Sequence, residues 1–399
     1  MKQVLLACYL ATWGFIPHLF LLKKRPSATL AWLWAILFIP LLGAAAYGLL
    51  GTDRLKRRRL KRRNLFSARA LRQAVPAGTT DDATAALLRE LPRRDRQFLQ
   101  LLSRINQLPV SSGARLRLLC NAEEFYPALE ERIREAVHHI HLEFYSWQGD
   151  ETGVRFLQLV TDAARRGVIV RLLLDGVGSQ GLAESRLVDF QRAGGHFSWF
   201  QSLDPKRLRF FINLRNHRKL QIIDGRVAFV GGMNIGREHE TPDPVLGSWH
   251  DVQVEADGSV AAELQEVFAD DWFFATGEKI AEPAFYPAHR GPPRELAHIV
   301  LGGPDRRNEP VSKTIVSLLN EASERVWIAT GYFVPDDTVL TALELAASRG
   351  VDVRLLISAT SDHPWLVTVG RSYYSELLAA GVRLFEWSAR PTSTTGPCA

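Results

Sequence analysis

Acidic residues are absent from the first 52 positions of this 399-residue chain. That absence leaves the apolar runs there free of the side chains that resist burial in a bilayer. Cysteine is scarce. Cys8, Cys120 and Cys398 lie far apart, which excludes zinc-ligand spacing and a disulfide framework and points to a reducing compartment. The triplet His-x-Lys occurs once, at His217 and Lys219, so chemistry that needs two such histidines lacks a second one. What is present is ample for folding: 46% hydrophobic residues and a net charge of +6, with length enough for one large core or two medium ones.

Residues 3–22 and 28–50 are mostly apolar, separated by the turn Lys23-Lys24-Arg25-Pro26-Ser27. At ~1.5 Å per residue, each run is long enough for ~30 Å of hydrocarbon. Two transmembrane helices are therefore expected within residues 1–52. No small-residue cleavage site precedes the turn, which argues against a signal peptide. Arg54 to Arg63 then holds eight basic residues in ten. By the positive-inside rule, the globular part lies on the cytoplasmic side of the cell inner membrane, with a multi-pass anchor. The cluster also suits anionic headgroups, at ~1 kcal/mol per basic residue.

Residues 53–113 read as basic flank and linker, with helical spacing from Ala83 to Gln107. From Ala114 the pattern alternates. Arg115–Leu119, His139–Tyr145 and Val168–Leu174 are strand-like, and Pro127–Val137 and Val154–Arg166 are helix-like. Alternation of this kind predicts an α/β fold with a largely parallel sheet. The chain also repeats itself. Ala163–Asp175 and Ala346–Ser358 agree at nine of 13 positions, at an offset of 183. Two related halves follow, at 114–290 and 297–387, the second incomplete.

The motif lies in Asn216–Asn234, NHRKLQIIDGRVAFVGGMN. On a strand, residues i and i+2 share a face, so His217 and Lys219 point together and Arg218 points away. Leu220–Ile223 continues the strand, Asp224–Arg226 turns, and Val227–Val230 returns. Gly231 and Gly232 would let backbone approach a ligand, and Asn234 adds an amide. A neutral imidazole can attack phosphorus. A nearby lysine neutralises the equatorial oxygens of the transition state, and a second histidine suits protonation of the leaving alkoxide. Asp224 is expected to hold a histidine in the productive tautomer. The chemistry requires no metal and no cofactor.

This stretch resembles the HKD motif of the phospholipase D superfamily, and the chain resembles bacterial cardiolipin synthases from Arg25–Trp32 (RPSATLAW) to about Trp387. Ser248–Gly258 (SWHDVQVEADG), Gly331–Asp337 (GYFVPDD) and Ser372–Trp387 support it. The resemblance implies a mixed, helix-sandwiched sheet, duplicated and preceded by the two transmembrane helices. It implies transfer of a phosphatidyl group from one phosphatidylglycerol to another, through a phosphohistidine, giving cardiolipin and glycerol. His217, Lys219 and Asp224 carry over as catalytic, with Asn234 and Gly232 on the phosphate side. A hydrolytic phosphodiesterase on the same fold, or a catalytically impaired membrane protein, are the alternatives.

The resemblance also implies a second motif after Trp387. Residues 388–399 instead form a polar, proline-containing tail, which reads as disordered and as the mark of a frameshift or truncated gene. Without an acid for the leaving group, a loss of ~10²–10⁴ in rate is expected. A homodimer pairing two His217 residues would restore the second imidazole. His138–His141 (HHIH) sets His139 and His141 beside Glu143, an arrangement compatible with a metal or with a plain strand rim; no metal is expected. Lys206–Phe211 (KRLRFF) mixes basic and aromatic residues as nucleic-acid sites do. The membrane hairpin favours phospholipid substrates and no nucleic acid.

Overall fold

The computed structural model describes Leu19 and residues 26–47, 80–106, 108–113, 115–200, 215–242, 247–288, 294–303 and 309–388. The first expected span and the tail beyond Ser388 lie outside these residues, apart from Leu19, as does the Lys206–Phe211 loop. The chain divides into two compact units, residues 1–65 with 202–215 and residues 66–201 with 216–399.

In the first unit the second apolar run is interrupted. Helix α1 (Pro26–Phe38) stops before Ile39, and α2 (Pro40–Ala46) restarts at a proline. Proline has no N–H to continue the ladder. The chain bends there, so a Cβ added at Gly43 would sit 2.1 Å from the Ala35 carbonyl oxygen. Leu19, Ile36 and Tyr47 pack together. Among the described residues, no helix is long and apolar enough to cross a membrane, in contrast to the expectation for 28–50.

The second unit opens with α3 (Thr80–Glu90) and α4 (Arg93–Asn106), where the spacing predicts one helix; Pro92 separates them. Strand β1 (Ser111–Gly113) precedes β2 (Leu116–Cys120), then come α5 (Asn121–Glu135), β3 (His139–Phe144), α6 (Glu151–Arg165) and β4 (Ile169–Asp175). Next are α7 (Leu187–Arg192), β5 (His196–Phe200), β6 (Leu220–Ile223), β7 (Val227–Gly231), β8 (Val252–Asp257) and α8 (Ser259–Thr276). Helix α5 begins six residues before the sequence pattern predicts. Pro127 is tolerated inside it, with Glu123 and Glu124 in the first turn favoured by the helix dipole.

Seven strands form one mixed sheet in the order β2-β8-β7-β6-β3-β4-β5. Strands β3, β4 and β5 are parallel, and β2, β8, β7 and β6 join antiparallel. Helices seal both faces. Phe125, Leu129, Phe156 and Val160 of α5 and α6 pack with Ile140, Leu142 and Phe144. Val260, Leu264, Phe268 and Trp272 of α8 pack with Leu220 and Ile222 on the other side.

After β9 (Glu295–Ala297) come α9 (Pro310–Glu321), β10 (Arg325–Thr330), α10 (Asp337–Ser348), β11 (Asp352–Ser358), α11 (Pro364–Ser372), α12 (Tyr374–Ala379) and β12 (Arg383–Trp387). Strands β10, β11 and β12 make a second, parallel sheet. Its register repeats that of the first. Arg171 pairs with His141 as Arg354 pairs with Trp327, and Leu173 pairs with Glu143 as Leu356 pairs with Ala329.

Candidate active site

His217 and Lys219 lie on the extended segment that leads into β6, just ahead of the regular ladder. Side-chain alternation holds there: Arg218 turns to the α8 side and pairs with Asp271, while His217 and Lys219 turn the other way. The Lys219 Nζ lies 3.2 Å from His217 Nε2 and 3.3 Å from Nδ1, and donates to the His217 carbonyl at 3.1 Å. Tyr145 packs on both groups, its ring 4.6 Å from the His217 ring and 5.4 Å from Nζ. Burial lowers the His217 pKa to about 4, and the Lys219 charge pushes the same way. Burial lowers Lys219 to about 8, opposed by the Asp251 carboxylate. At neutral pH the pair is a neutral imidazole beside an ammonium.

Two groups missing from the sequence reading complete this surface. Asp251 stands at the entry to β8, its pKa raised by burial against the pull of the Val252 N–H and Lys219. His239 is buried, its pKa lowered to about 4 by burial and then by Lys219. Its Nε2 accepts the Asn234 N–H at 3.3 Å, which puts the ring proton on Nδ1. Trp249, itself exposed, packs edge-on against it at 5.8 Å. Asp251 sits within the SWHD stretch, yet only the β7–β8 pairing brings it to Lys219. Nothing in the sequence around His239 signals its place.

Gly232 makes room for a protein carboxylate: a Cβ there would lie 2.2 Å from Asp251 Oδ1. Gly232→Ala is therefore expected to displace Asp251 and raise activity loss well above stability loss, about ten-fold in kcat for a shift of under 1 Å. Steady-state assay beside a melting curve checks this; unchanged kcat would refute the packing role. Asn234 is anchored through its side-chain oxygen, which accepts the Ser146 N–H at 3.0 Å, and its carbonyl, which accepts the Tyr126 hydroxyl at 2.8 Å.

Asp224 is not with His217. It follows β6, so about seven residues of extended chain, roughly 20 Å, separate the two. Its carboxylate accepts the N–H groups of Val137, His138 and His139 at 3.0, 2.7 and 2.9 Å, and its own φ is 53°. In place of the expected contact that sets a histidine tautomer, Asp224 clamps the backbone at the start of β3.

His139 and His141 are fully buried beneath α8. Both face Gln265 Oε1, at 3.3 and 3.0 Å, and Arg171 Nη1 lies 3.1 Å from His141 Nε2. Phe268 stacks on His141 at 4.6 Å. Burial lowers the pKa of both, with charge from His138 and His139 respectively adding to it. Among the described residues, no group of three or more His, Cys, Asp or Glu side chains is arranged to hold a metal ion.

Residues 129–272 and 315–394 match the family described as "Cardiolipin synthase, PLD-like domain", and residues 10–51 match "Phospholipase_D-nuclease N-terminal". The fold is similar to that of a phosphatidylserine synthase from Haemophilus influenzae, with a TM-score of 0.52 at 13% identity over 75% of this chain and 78% of that one. That likeness is one of fold. Among curated proteins, a cardiolipin synthase of a Geobacillus species is 33% identical over 97% of this chain and 76% of its own length. Cardiolipin synthase 2 of Bacillus anthracis is 35% identical over 92% and 71%. The chain belongs to the cardiolipin synthase family.

Proposed function

We propose that this phosphatidyltransferase makes cardiolipin through a phosphohistidine at His217. The observation that carries the reading is the contact of Lys219 Nζ with both His217 ring nitrogens, at 3.2 and 3.3 Å. A histidine flanked by a buried ammonium is neutral and nucleophilic, and the ammonium offsets charge on the phosphoryl oxygens.

A His217 ring nitrogen attacks the phosphorus of phosphatidylglycerol, the bond from phosphorus to the glycerol oxygen breaks, and the departing alkoxide takes a proton to leave as glycerol. The hydroxyl of a second phosphatidylglycerol then attacks, loses its proton to a base, and displaces the imidazole. Cardiolipin results. A second imidazole would serve as the acid and then the base, and a homodimer facing two His217 rings would provide one. Asn234 and Gly232 border the phosphate side, the latter by admitting Asp251.

Phospholipid substrates do not leave the bilayer, which supports a membrane-held enzyme. The acid-free N-terminus with its basic flank supports a two-span anchor and a cytoplasmic catalytic part, made of phospholipase D-like halves at 114–290 and 297–387. Nothing in the site favours nucleic acid.

The pH profile follows from the two charges. Activity needs His217 unprotonated, so kcat/KM rises through about pH 4. It needs Lys219 protonated, so kcat/KM falls above about pH 8. A profile still rising at pH 9 would remove Lys219 ammonium from the mechanism. The function itself is tested by incubating the enzyme with phosphatidylglycerol labelled at phosphorus. Acid-labile, base-stable label on the protein and cardiolipin as product are expected. Phosphatidic acid as sole product would make it a hydrolase.

A further inference from the structure

We propose that Glu143 and Asp271, buried on the sheet face opposite His217, are positioning residues that hold His217 by gripping Asn216 and Arg218, its neighbours on either side. The proposal rests on His217 as the attacking group.

His217 sits ahead of β6, so no regular ladder bonds fix its backbone. Something else must, because a displacement of ~1 Å costs on the order of 10² in rate. Alternation sends the side chains of Asn216 and Arg218 away from His217, under α8. There the Asn216 side-chain amide donates to Glu143 Oε1, and Arg218 Nη1 donates to Asp271 Oδ2. Arg218 Nη2 also donates to the Gly302 carbonyl at 2.8 Å. The backbone is tied to the same network: the Asn216 N–H donates to Asp175 Oδ2 at 3.2 Å, and the Arg218 N–H to Asn216 Oδ1 at 3.2 Å. Both residues flanking the histidine are thus held at main chain and side chain.

The acids behind this grip are costly to keep. Glu143 is 1% exposed, Asp271 4% and Asp175 0%. Burial raises the Glu143 pKa well above the carboxylate range, and the like charge of Asp271 pushes it further, with Arg218 opposing. A neutral Glu143 leaves Arg218 to the ion pair with Asp271. Buried pairs of this kind are often no more stabilising than apolar residues of similar volume, so their presence argues for geometry over stability. The internal repeat agrees. The β10 residue at the register position of Glu143 is Ala329, and among the described residues no His-x-Lys segment lies beside β10.

The test uses the full chain in detergent. Glu143→Gln keeps an acceptor for Asn216, and Glu143→Leu removes it. The paired change Arg218→Met with Asp271→Leu removes the ion pair while filling its space. Three readouts are taken: melting temperature, kcat and KM for cardiolipin formation, and the pH midpoint for diethyl pyrocarbonate modification of His217, located by mass spectrometry. The paired variant is expected to melt close to wild type and to lose about 10²-fold in kcat with KM unchanged. Its His217 midpoint should move up from about 4 toward the ordinary ~6.5 as the ring loosens into water. Glu143→Leu should behave alike and Glu143→Gln should recover. Wild-type kcat and midpoint in the paired variant and in Glu143→Leu overturn the proposal, as does a Glu143→Gln no better than Glu143→Leu. Should the paired variant fail to fold, the two Glu143 variants decide. A His217→Ala enzyme that still makes cardiolipin would end the nucleophile reading instead, and the modification midpoint would still judge the grip.

Discussion

His217→Ala is expected to reduce cardiolipin formation by ~10⁴-fold or more, the scale seen when a covalent nucleophile is removed. Lys219 cannot take over the attack. Its Nζ is cationic below about pH 8, and its contribution is to charge, not to bonding. His239 cannot either, because its Nε2 lone pair is engaged by the Asn234 N–H. Direct attack by a lipid hydroxyl would remain, helped by Lys219 alone. The phosphoenzyme should vanish with the product, whereas a variant hurt only in folding would lose both in proportion to its soluble yield. Expression of wild type and variant in a cardiolipin-deficient host, with lipid analysis, gives the comparison. Equal cardiolipin from the two would sink His217 as nucleophile.

Asp224→Ala is expected to act on stability instead. Three backbone N–H groups at the start of β3 would lose a charged acceptor, and alanine would be left at a φ of 53°. Charge-assisted bonds to backbone and a left-handed non-glycine residue together put the loss at roughly 3–5 kcal/mol. In a unit of this size the melting temperature should fall by on the order of 10 °C. Asp224→Asn tolerates the left-handed backbone and keeps one acceptor oxygen, so about half the loss is expected. Both variants should retain near-normal kcat per folded molecule at low temperature. A melting temperature unchanged in Asp224→Ala, with kcat gone, would return Asp224 to the chemistry.

The contrast between His217 and Asp224 shows how far the motif could be read. Their spacing is a property of the sequence, but spacing does not say how much of the interval is extended. Because Leu220–Ile223 is a full strand, the seven-residue interval runs along the strand direction and ends at the opposite end of the strands from His217. Lys219, two residues on, stays with His217 for the same reason. Alternation is local, so it was legible; end-to-end distance depends on the strand, and so did the fate of Asp224. The HHIH run illustrates the same limit. Its alternation put His139 and His141 on one face, but whether that face met a metal, solvent or α8 depended on a helix more than 100 residues away.

The sequence by itself determined the α/β alternation, the repeat that reappears as matching registers in β3–β4 and β10–β11, the pairing of His217 with Lys219, and the family. Each follows from periods of two and 3.6 residues or from motif identity, which neighbours in the chain are enough to express. Tertiary structure alone decided the rest. The meeting of Asp251 and His239 with Lys219 and the acids behind Asn216 and Arg218 depend on long-range pairing. Burial then set the charges: the same histidine and lysine in water would be partly protonated and fully protonated near neutrality, and packing against Tyr145 and the sheet moves both downward to a neutral base beside a weakened acid.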